Sequence, residues 1–302
     1  MLSAIVPHIA SAQNPLPFPA AFGEVTPPLA IAGLVDARPM SALEFSRAWL
    51  LKVESVRRRR AELLAAGRLD GLTPAAAALA GAALTGTLRV PVVAVRYADA
   101  AEPFPASQLA DRLFGEARGD TMTFANYWRE VSAGLLEVTG TVTPWITLGK
   151  PGSYYLSADK FGWGQFGRTS ELRREALRSA DLTIDFAQYD NDGADGVPNS
   201  ADDDGFVDFV AFVYALPCSG ETRAGAIWPH RAAMPPYETK DRSHNGRPVR
   251  IADYVILPAV DPQTCGPMHI GVLAHETGHA LGLPDLYDYD GSSQGIGAWG
   301  LM

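Results

Sequence analysis

The sequence predicts an α/β (α+β) domain in which a twisted mixed sheet packs against helices, preceded by a mostly helical or extended N-terminal region. From Thr87 onward, short runs rich in β-branched residues alternate with amphipathic segments of helical period, the pattern typical of a sheet protein with covering helices. The 302 residues are 47% hydrophobic and 20% charged. That composition is typical of a globular protein and excludes a disordered chain.

Residues 1–86 differ in character from the rest of the chain. Residues 1–13 are apolar and contain Ala10-Ser11-Ala12, a small-x-small pattern typical of an export-signal cleavage site. We interpret them as the remnant of an export signal, with a disordered tail as the alternative. Six prolines within residues 13–40 predict an extended arm, and residues 41–66 predict a helix. The sequence therefore divides into an N-terminal region, 1–86, and a domain, 87–302.

The second region contains the elements of the predicted sheet. The β-branched run at 88–97 predicts a first strand, and alternation across 135–148 predicts a β-hairpin. Compact apolar runs predict further strands at 206–216 and 249–257. Helices are predicted at 107–114, 123–132, 170–180 and 270–281.

The charge balance excludes some classes of partner. A net charge of −9 and a pI near 5.1 argue against nucleic-acid binding, which needs a basic face. No apolar run approaches the roughly 20 residues that a membrane-spanning helix requires. The four consecutive arginines at 57–60 are interpreted as a solvated turn of the predicted helix 41–66.

The segment His275-Glu276-Thr277-Gly278-His279 shows the clearest chemistry. Residues four apart lie on the same face of a helix, so both imidazoles can bind one metal ion. Glu276 directly follows the first histidine, which places its carboxylate beside the metal, where it can take a proton from the attacking water. The alternative is a buried amphipathic helix with two hydrogen-bonded histidines.

Two histidines leave a catalytic metal site incomplete, because such sites usually have three protein ligands and an open position. Gly282 permits a tight turn after the helix, and Asp285 then lies six residues beyond His279, where it can complete the site. Imidazole and carboxylate ligands in a tetrahedral arrangement suit Zn²⁺. We therefore predict a zinc centre of His275, His279 and Asp285, with Glu276 as the general base.

The run HETGHALGLPDLYD at 275–288 resembles the metzincin zinc peptidases. Among them it is most similar to the immune inhibitor A-like secreted peptidases, whose motif is HExxHxxGxxD. The resemblance covers roughly residues 87–302, through YWREVSAGLLEVTGTV, YDNDGADGVPNSADDDGFVDFVAFVY, IWPHR and GIGAWGLM. It implies a zincin-like catalytic domain with an active-site helix, the same zinc ligands and general base, and Met302 in a turn beneath the metal.

The resemblance also implies a function. We expect a secreted, monomeric zinc endopeptidase that acts on protein or peptide substrates, with 1–86 as a propeptide-like region. Family members continue beyond this methionine and often have an acidic residue where Gly300 stands, so we expect a domain truncated at its C-terminus. Two alternatives remain open: a calcium-stabilised, catalytically incompetent fragment that acts as a binding module, and a zinc hydrolase with a non-peptide substrate.

An acidic segment gives a second metal hypothesis. Residues 185–208 contain eight aspartates and no lysine or arginine. Alternate carboxylates in a loop broken by glycines suit Ca²⁺, which takes about six to eight oxygen ligands. A solvated acidic loop without a cation is the alternative. The candidate calcium ligands are Asp190, Asp192, Asp195, Asp202, Asp204 and Asp208.

Two other features leave alternatives open. Cys218 and Cys265, the only cysteines, permit one disulfide in an exported protein, but two buried free thiols fit the sequence nearly as well. His230, in the IWPHR stretch, has no assigned role, and we expect it to be packed or hydrogen-bonded.

Overall fold

A mixed sheet of six strands forms the centre of the protein. The computed structural model describes residues 48–119, 121–156, 168–216, 227–261, 264–288, 292–293, 295–296 and 300–302. The strands are β1 (Gly86–Arg96), β2 (Leu136–Val142), β3 (Ile146–Thr147), β4 (Val210–Tyr214), β5 (His230–Arg242) and β6 (Pro248–Pro258). They lie in the order β2-β1-β4-β6-β5, and β3 also pairs with β1. Of these strands, β5 runs antiparallel to β6 and the other pairings are parallel. The predicted mixed α/β fold is confirmed.

The helices lie close to their predicted positions. They are α1 (Ala48–Ala65), α2 (Pro74–Leu79), α3 (Ala106–Phe114), α4 (Phe124–Val131), α5 (Gly152–Tyr155), α6 (Thr169–Ala180) and α7 (Ile270–Ala280), with a 3-10 helix at Phe186–Tyr189. Thr123 begins α4 because its Oγ1 accepts a hydrogen bond from the Asn126 N–H at 3.2 Å. Of the helix predicted at 41–66, residues 41–47 lie outside the described residues.

Helices cover both faces of the sheet. In β1, Val90, Val92 and Ala94 belong to one buried cluster, which includes side chains of α1, α3, α4 and α7. Val93 and Val95 belong to a second cluster, on the opposite face, with α6 and the 3-10 helix. A parallel strand covered on both sides needs apolar residues at successive positions, which explains the unbroken valine-rich run. Among the described residues, no helix is both long and apolar enough to cross a membrane.

The predicted hairpin at 135–148 is wrong. β2 pairs in parallel with the first half of β1, and β3 pairs in parallel with its end. Between them the chain leaves the ladder, and the Thr143 Oγ1 accepts the Ala94 N–H at 2.9 Å in place of a backbone carbonyl. Alternation shows that one face of a strand is buried but does not identify its partner, which explains the error.

The N-terminal helix is packed against the sheet domain. Trp49 and Val53 of α1 are 5% and 9% exposed, within the cluster that contains Val90 and Val92 of β1. The solvated turn expected at 57–60 is only partly correct, because three of these arginines donate to backbone carbonyls, namely Arg57, Arg59 and Arg60. The division into functional regions at residue 86 stays a prediction.

Candidate metal centre

The end of α7 brings the predicted ligands together. Gly282, with a φ of +76°, adopts the left-handed conformation that favours glycine. Its N–H donates to the His279 carbonyl at 2.9 Å, and the Leu283 N–H donates to the Gly278 carbonyl at 2.8 Å. These bonds satisfy carbonyls of the last helical turn, and the reversed chain places Asp285 beside the helix.

Three potential ligand atoms converge at this point. The Asp285 Oδ1 lies 3.1 Å from the His275 Nε2 and 3.2 Å from the His279 Nε2. Each Nδ1 lies 2.8 Å from a backbone carbonyl, that of Leu301 for His275 and that of Leu283 for His279. Since a carbonyl only accepts, each neutral ring carries its proton on Nδ1 and presents the Nε2 lone pair to the site.

This arrangement fits a zinc ion. When both rings are neutral, two imidazole lone pairs and a carboxylate oxygen face one another, and a cation can bind all three. The backbone carbonyls on Nδ1 fix the orientation of the rings, as outer contacts of metal-bound histidines usually do. Among the described residues, His275, His279 and Asp285 form one of two groups whose ligand atoms lie within 4.8 Å of one another.

Glu276 lies next to these ligands without joining the group. Its side chain is buried and accepts a hydrogen bond from the Arg231 N–H of β5. Burial raises the pKa of Glu276 to about 7, the Arg231 N–H opposes this rise, and the charge of Asp285 adds to it. The structure therefore places a buried carboxylate beside the three potential ligands.

Met302 packs beneath the metal-site helix. A Cβ added to Gly278 would lie 2.6 Å from the Met302 Sδ, a distance that requires one of the two groups to move. Helix α7 and the methionine are therefore in close contact, and a glycine between the two histidines permits it.

We expect Gly278→Ala to lower the free energy of unfolding by about 1–3 kcal/mol, the usual cost of overpacking a filled site. Gly271→Ala is the matched control on the same helix, because nothing lies within 4 Å of its added Cβ. Alanine is favoured over glycine in helices by up to about 1 kcal/mol, so the control should be at least as stable as the wild type. Urea unfolding measures both variants, and equal stabilities would contradict the contact with Met302.

The acidic segment forms the second group of potential ligand atoms. Carboxylate oxygens of Asp190, Asp192 and Asp204 lie within 4.8 Å of one another. Asp190 is fully buried, and its Oδ1 and the Oδ1 of Asn191 have no hydrogen-bond partner among the described residues. Burial, followed by the charge of Asp204, raises the pKa of Asp190 to about 8. We call these three aspartates the acidic cluster.

The other three candidate calcium ligands are not among the aspartates of the acidic cluster. Of these three, Asp208 lies near the cluster, because burial and then the charges of Asp192 and Asp190 raise its pKa. The Asp195 Oδ1 accepts the Val197 N–H at 2.8 Å. The Asp202 carboxylate accepts the N–H groups of Ala194 and Asp195 at 2.6 and 3.1 Å. Asp208 is buried, and its Oδ2 accepts the Trp49 Nε1–H at 2.8 Å. These carboxylates satisfy polar hydrogens of the loop and of α1.

The sequence analysis left the roles of the two cysteines and of His230 open. Cys265 is disulfide-bonded, while Cys218 lies outside the described residues. His230 is hydrogen-bonded, as predicted, with its Nδ1 2.7 Å from the Trp228 carbonyl and its Nε2 3.1 Å from the Tyr254 hydroxyl. Burial lowers the pKa of His230 to about 4, which favours its neutral form.

Known proteins with similar sequences identify the family of this chain. Residues 100–302 match the profile of the family described as immune inhibitor A peptidase M6, catalytic domain. The chain is 34% identical over 195 residues to immune inhibitor A of Bacillus thuringiensis subsp. alesti. It is 30% identical over 198 residues to the pre-pro-metalloprotease PrtV of Vibrio cholerae serotype O1 (strain M66-2). Each alignment covers 60% of this chain but only 28% and 21% of those relatives' lengths.

The family match spans more than half of the chain and includes both histidines, Glu276 and Asp285. The two relatives align over a similar share of the chain, and the name of one states that it is a metalloprotease. The chain therefore belongs to the immune inhibitor A family of M6 metallopeptidases.

Proposed function

We propose that this chain is a secreted zinc endopeptidase, with His275, His279 and Asp285 as zinc ligands and Glu276 as the general base. The observation that carries this proposal is the convergence of two Nε2 atoms and one carboxylate oxygen beside a buried glutamate. Zinc held there would polarise the scissile carbonyl and acidify the attacking water.

The chain's own groups supply the proton transfers. The Arg231 N–H fixes the carboxylate of Glu276 beside the ligands. From this position Glu276 takes a proton from the attacking water and delivers it to the leaving amine, so one carboxylate acts as base and then as acid.

The position of β5 favours a peptide as the substrate. Among the described strands, β5 lies at one end of the sheet. The Arg231 N–H interacts with the Glu276 carboxylate, so this part of β5 lies beside the proposed general base. An extended peptide can add to such an edge through backbone hydrogen bonds, which would align it past the general base. A non-peptide substrate lacks these groups.

Purified chain supplied with zinc should therefore hydrolyse casein, and a chelator should stop the reaction until zinc is added back. Zinc binding without hydrolysis of casein or of small peptides would instead support the binding-module alternative.

Secretion is part of the proposal, because the disulfide at Cys265 suits an oxidising compartment.

We also propose that the acidic cluster binds Ca²⁺. Asp190 places a carboxylate in the interior without a hydrogen-bond partner for its Oδ1, next to two further carboxylates. A buried negative charge is costly unless it is paired or binds a metal, and oxygen ligands suit Ca²⁺. A bound Ca²⁺ would thus attract all three carboxylates and offset the repulsion between them.

Calcium should raise the melting temperature of the wild-type chain at a fixed zinc concentration. A ligand present at 100 times its Kd stabilises the native state by about 2.7 kcal/mol. In Asp190→Asn this shift should be lost, whereas it should persist in Asp195→Asn, since Asp195 is exposed and accepts a local backbone N–H. A wild-type melting temperature unchanged at millimolar calcium would contradict the site.

A further inference from the structure

Helix α1 contacts the acidic segment 185–208. The Trp49 Nε1–H donates to the buried Asp208 Oδ2 at 2.8 Å. One turn later, the Lys52 Nζ donates to the Gly193 carbonyl at 3.1 Å. One side of α1 is therefore held by the loop that carries the acidic cluster.

The same helix contacts the turn that carries a zinc ligand. The Arg57 Nη2 donates to the Gly282 carbonyl at 2.7 Å. A Cβ added to Gly282 would lie 3.0 Å from the Leu50 Cδ2. Leu50 and Arg57 are seven residues apart, about two helical turns, and so share a face of α1. That face holds Gly282, which begins the turn from His279 to Asp285.

These contacts are supported by core packing. Trp49 and Val53 are buried in the cluster on the α7 side of the sheet. Burial raises the pKa of Asp208 well above its ordinary value, and the Trp49 N–H counteracts that rise. Loss of a donor to a buried polar group is destabilising, because the acceptor is left without a partner away from water. Attachment of α1 therefore depends mainly on buried contacts.

We propose that α1 is a permanent brace of the catalytic domain and that Arg57 is a positioning residue for Asp285. This rests on the proposed zinc site. Only two residues separate Gly282 from Asp285, so fixing the Gly282 carbonyl restricts where the Asp285 carboxylate can lie. Outer contacts of this kind affect metal affinity by about 10–100-fold when they are removed. The region before residue 86 thus contains a part that the site needs in place.

Zinc affinity, measured by competition with a chromophoric chelator on the full chain, tests the role of Arg57. Arg57→Ala should bind zinc about tenfold more weakly than the wild type. Arg58→Ala is the matched control, because Arg58 is the adjacent arginine of α1 and is also exposed. Unfolding of the zinc-free proteins should be the same for both variants, which separates a positioning effect from a loss of stability.

The outcomes are distinguishable. Wild-type chain that binds no zinc would contradict the proposed function itself. Wild-type chain that binds zinc, with both arginine variants equal to it, would contradict the positioning role alone. Equal weakening in both variants would show a general effect of surface charge and would also overturn it.

Proteolytic cleavage of the chain between α1 and α2 tests whether α1 stays bound to the rest of the protein. Gly67 and Gly71 lie in an exposed turn with open space around them, so a protease site introduced there can be cut. We expect the cut helix to stay bound during gel filtration in 1 M salt, which screens surface charges. Trp49→Phe should release it, and Trp128→Phe should not, because the buried Trp128 Nε1 has no partner among the described residues. Release from the wild-type chain would overturn the brace.

Discussion

Glu276→Gln should slow peptide hydrolysis by about 10²–10⁴-fold, the usual contribution of a general base, while zinc content stays at one ion per chain. Glutamine keeps the shape of the side chain, and its amide oxygen can still accept the Arg231 N–H. It cannot take a proton from the attacking water. The fold and the ligands should therefore survive while the reaction does not.

Glu276→Gln is compared with the wild type by two measurements on the same sample. Initial rates on a fluorogenic peptide give the rate of hydrolysis, and elemental analysis gives the zinc content. Glu130→Gln is the control, because Glu130 is exposed on α4, and it should leave both quantities unchanged. If Glu276→Gln keeps wild-type turnover, Glu276 is not the base. If Glu276→Gln loses its zinc, Glu276 contributes to metal binding rather than acting only as the general base.

His279→Ala should lose zinc altogether under dialysis, and hydrolysis should fall with it. The substitution removes one of three converging ligand atoms and also the Nδ1 contact with the Leu283 carbonyl. Removal of an outer contact alone costs about 10–100-fold in metal affinity, so we expect removal of a ligand to cost more than ~100-fold.

Zinc content per chain, by elemental analysis after equilibrium dialysis, measures this effect. His244→Ala is a suitable control, since His244 is exposed in the β5–β6 connection, and it should retain one zinc ion. Unchanged zinc in His279→Ala would refute the proposed ligand set.

The convergence of the candidate ligands was predictable because its information is local. His275, Glu276 and His279 lie on one helix, and Gly282 supplies the turn that returns Asp285 to it. Helical periodicity and glycine conformation are short-range rules, so the sequence alone brought these residues together. The α/β fold was predictable for the same reason, because each strand and helix has its own pattern.

Long-range pairings were not predictable. Trp49 and Asp208 are 159 residues apart, and no periodicity links them. The Arg231 contact to Glu276 uses a backbone N–H, which any residue type provides. The acidic segment offered six candidate ligands without indicating which carboxylates would instead bind loop N–H groups.

Strand β5 was missed for a different reason. Its sequence, HRAAMPPYETKDR, contains two adjacent prolines and many polar side chains, and its partly exposed positions show no clear alternation. Proline is tolerated at the edge of a sheet but not in its centre. The irregular sequence of β5 is therefore compatible with a strand at the edge of the sheet, although not with a central strand.

The same two prolines affect self-association. An uncovered strand edge is a template on which a second copy of the chain can add a strand and begin an aggregate. Pro235 and Pro236 have no N–H to donate, and the β5–β6 register shifts between Ala233 and Tyr237. A regular ladder along β5 would thus be interrupted soon after the stretch beside Glu276. If β5 adds a substrate strand as proposed, the prolines limit that ladder to a short stretch and oppose the growth of intermolecular sheets.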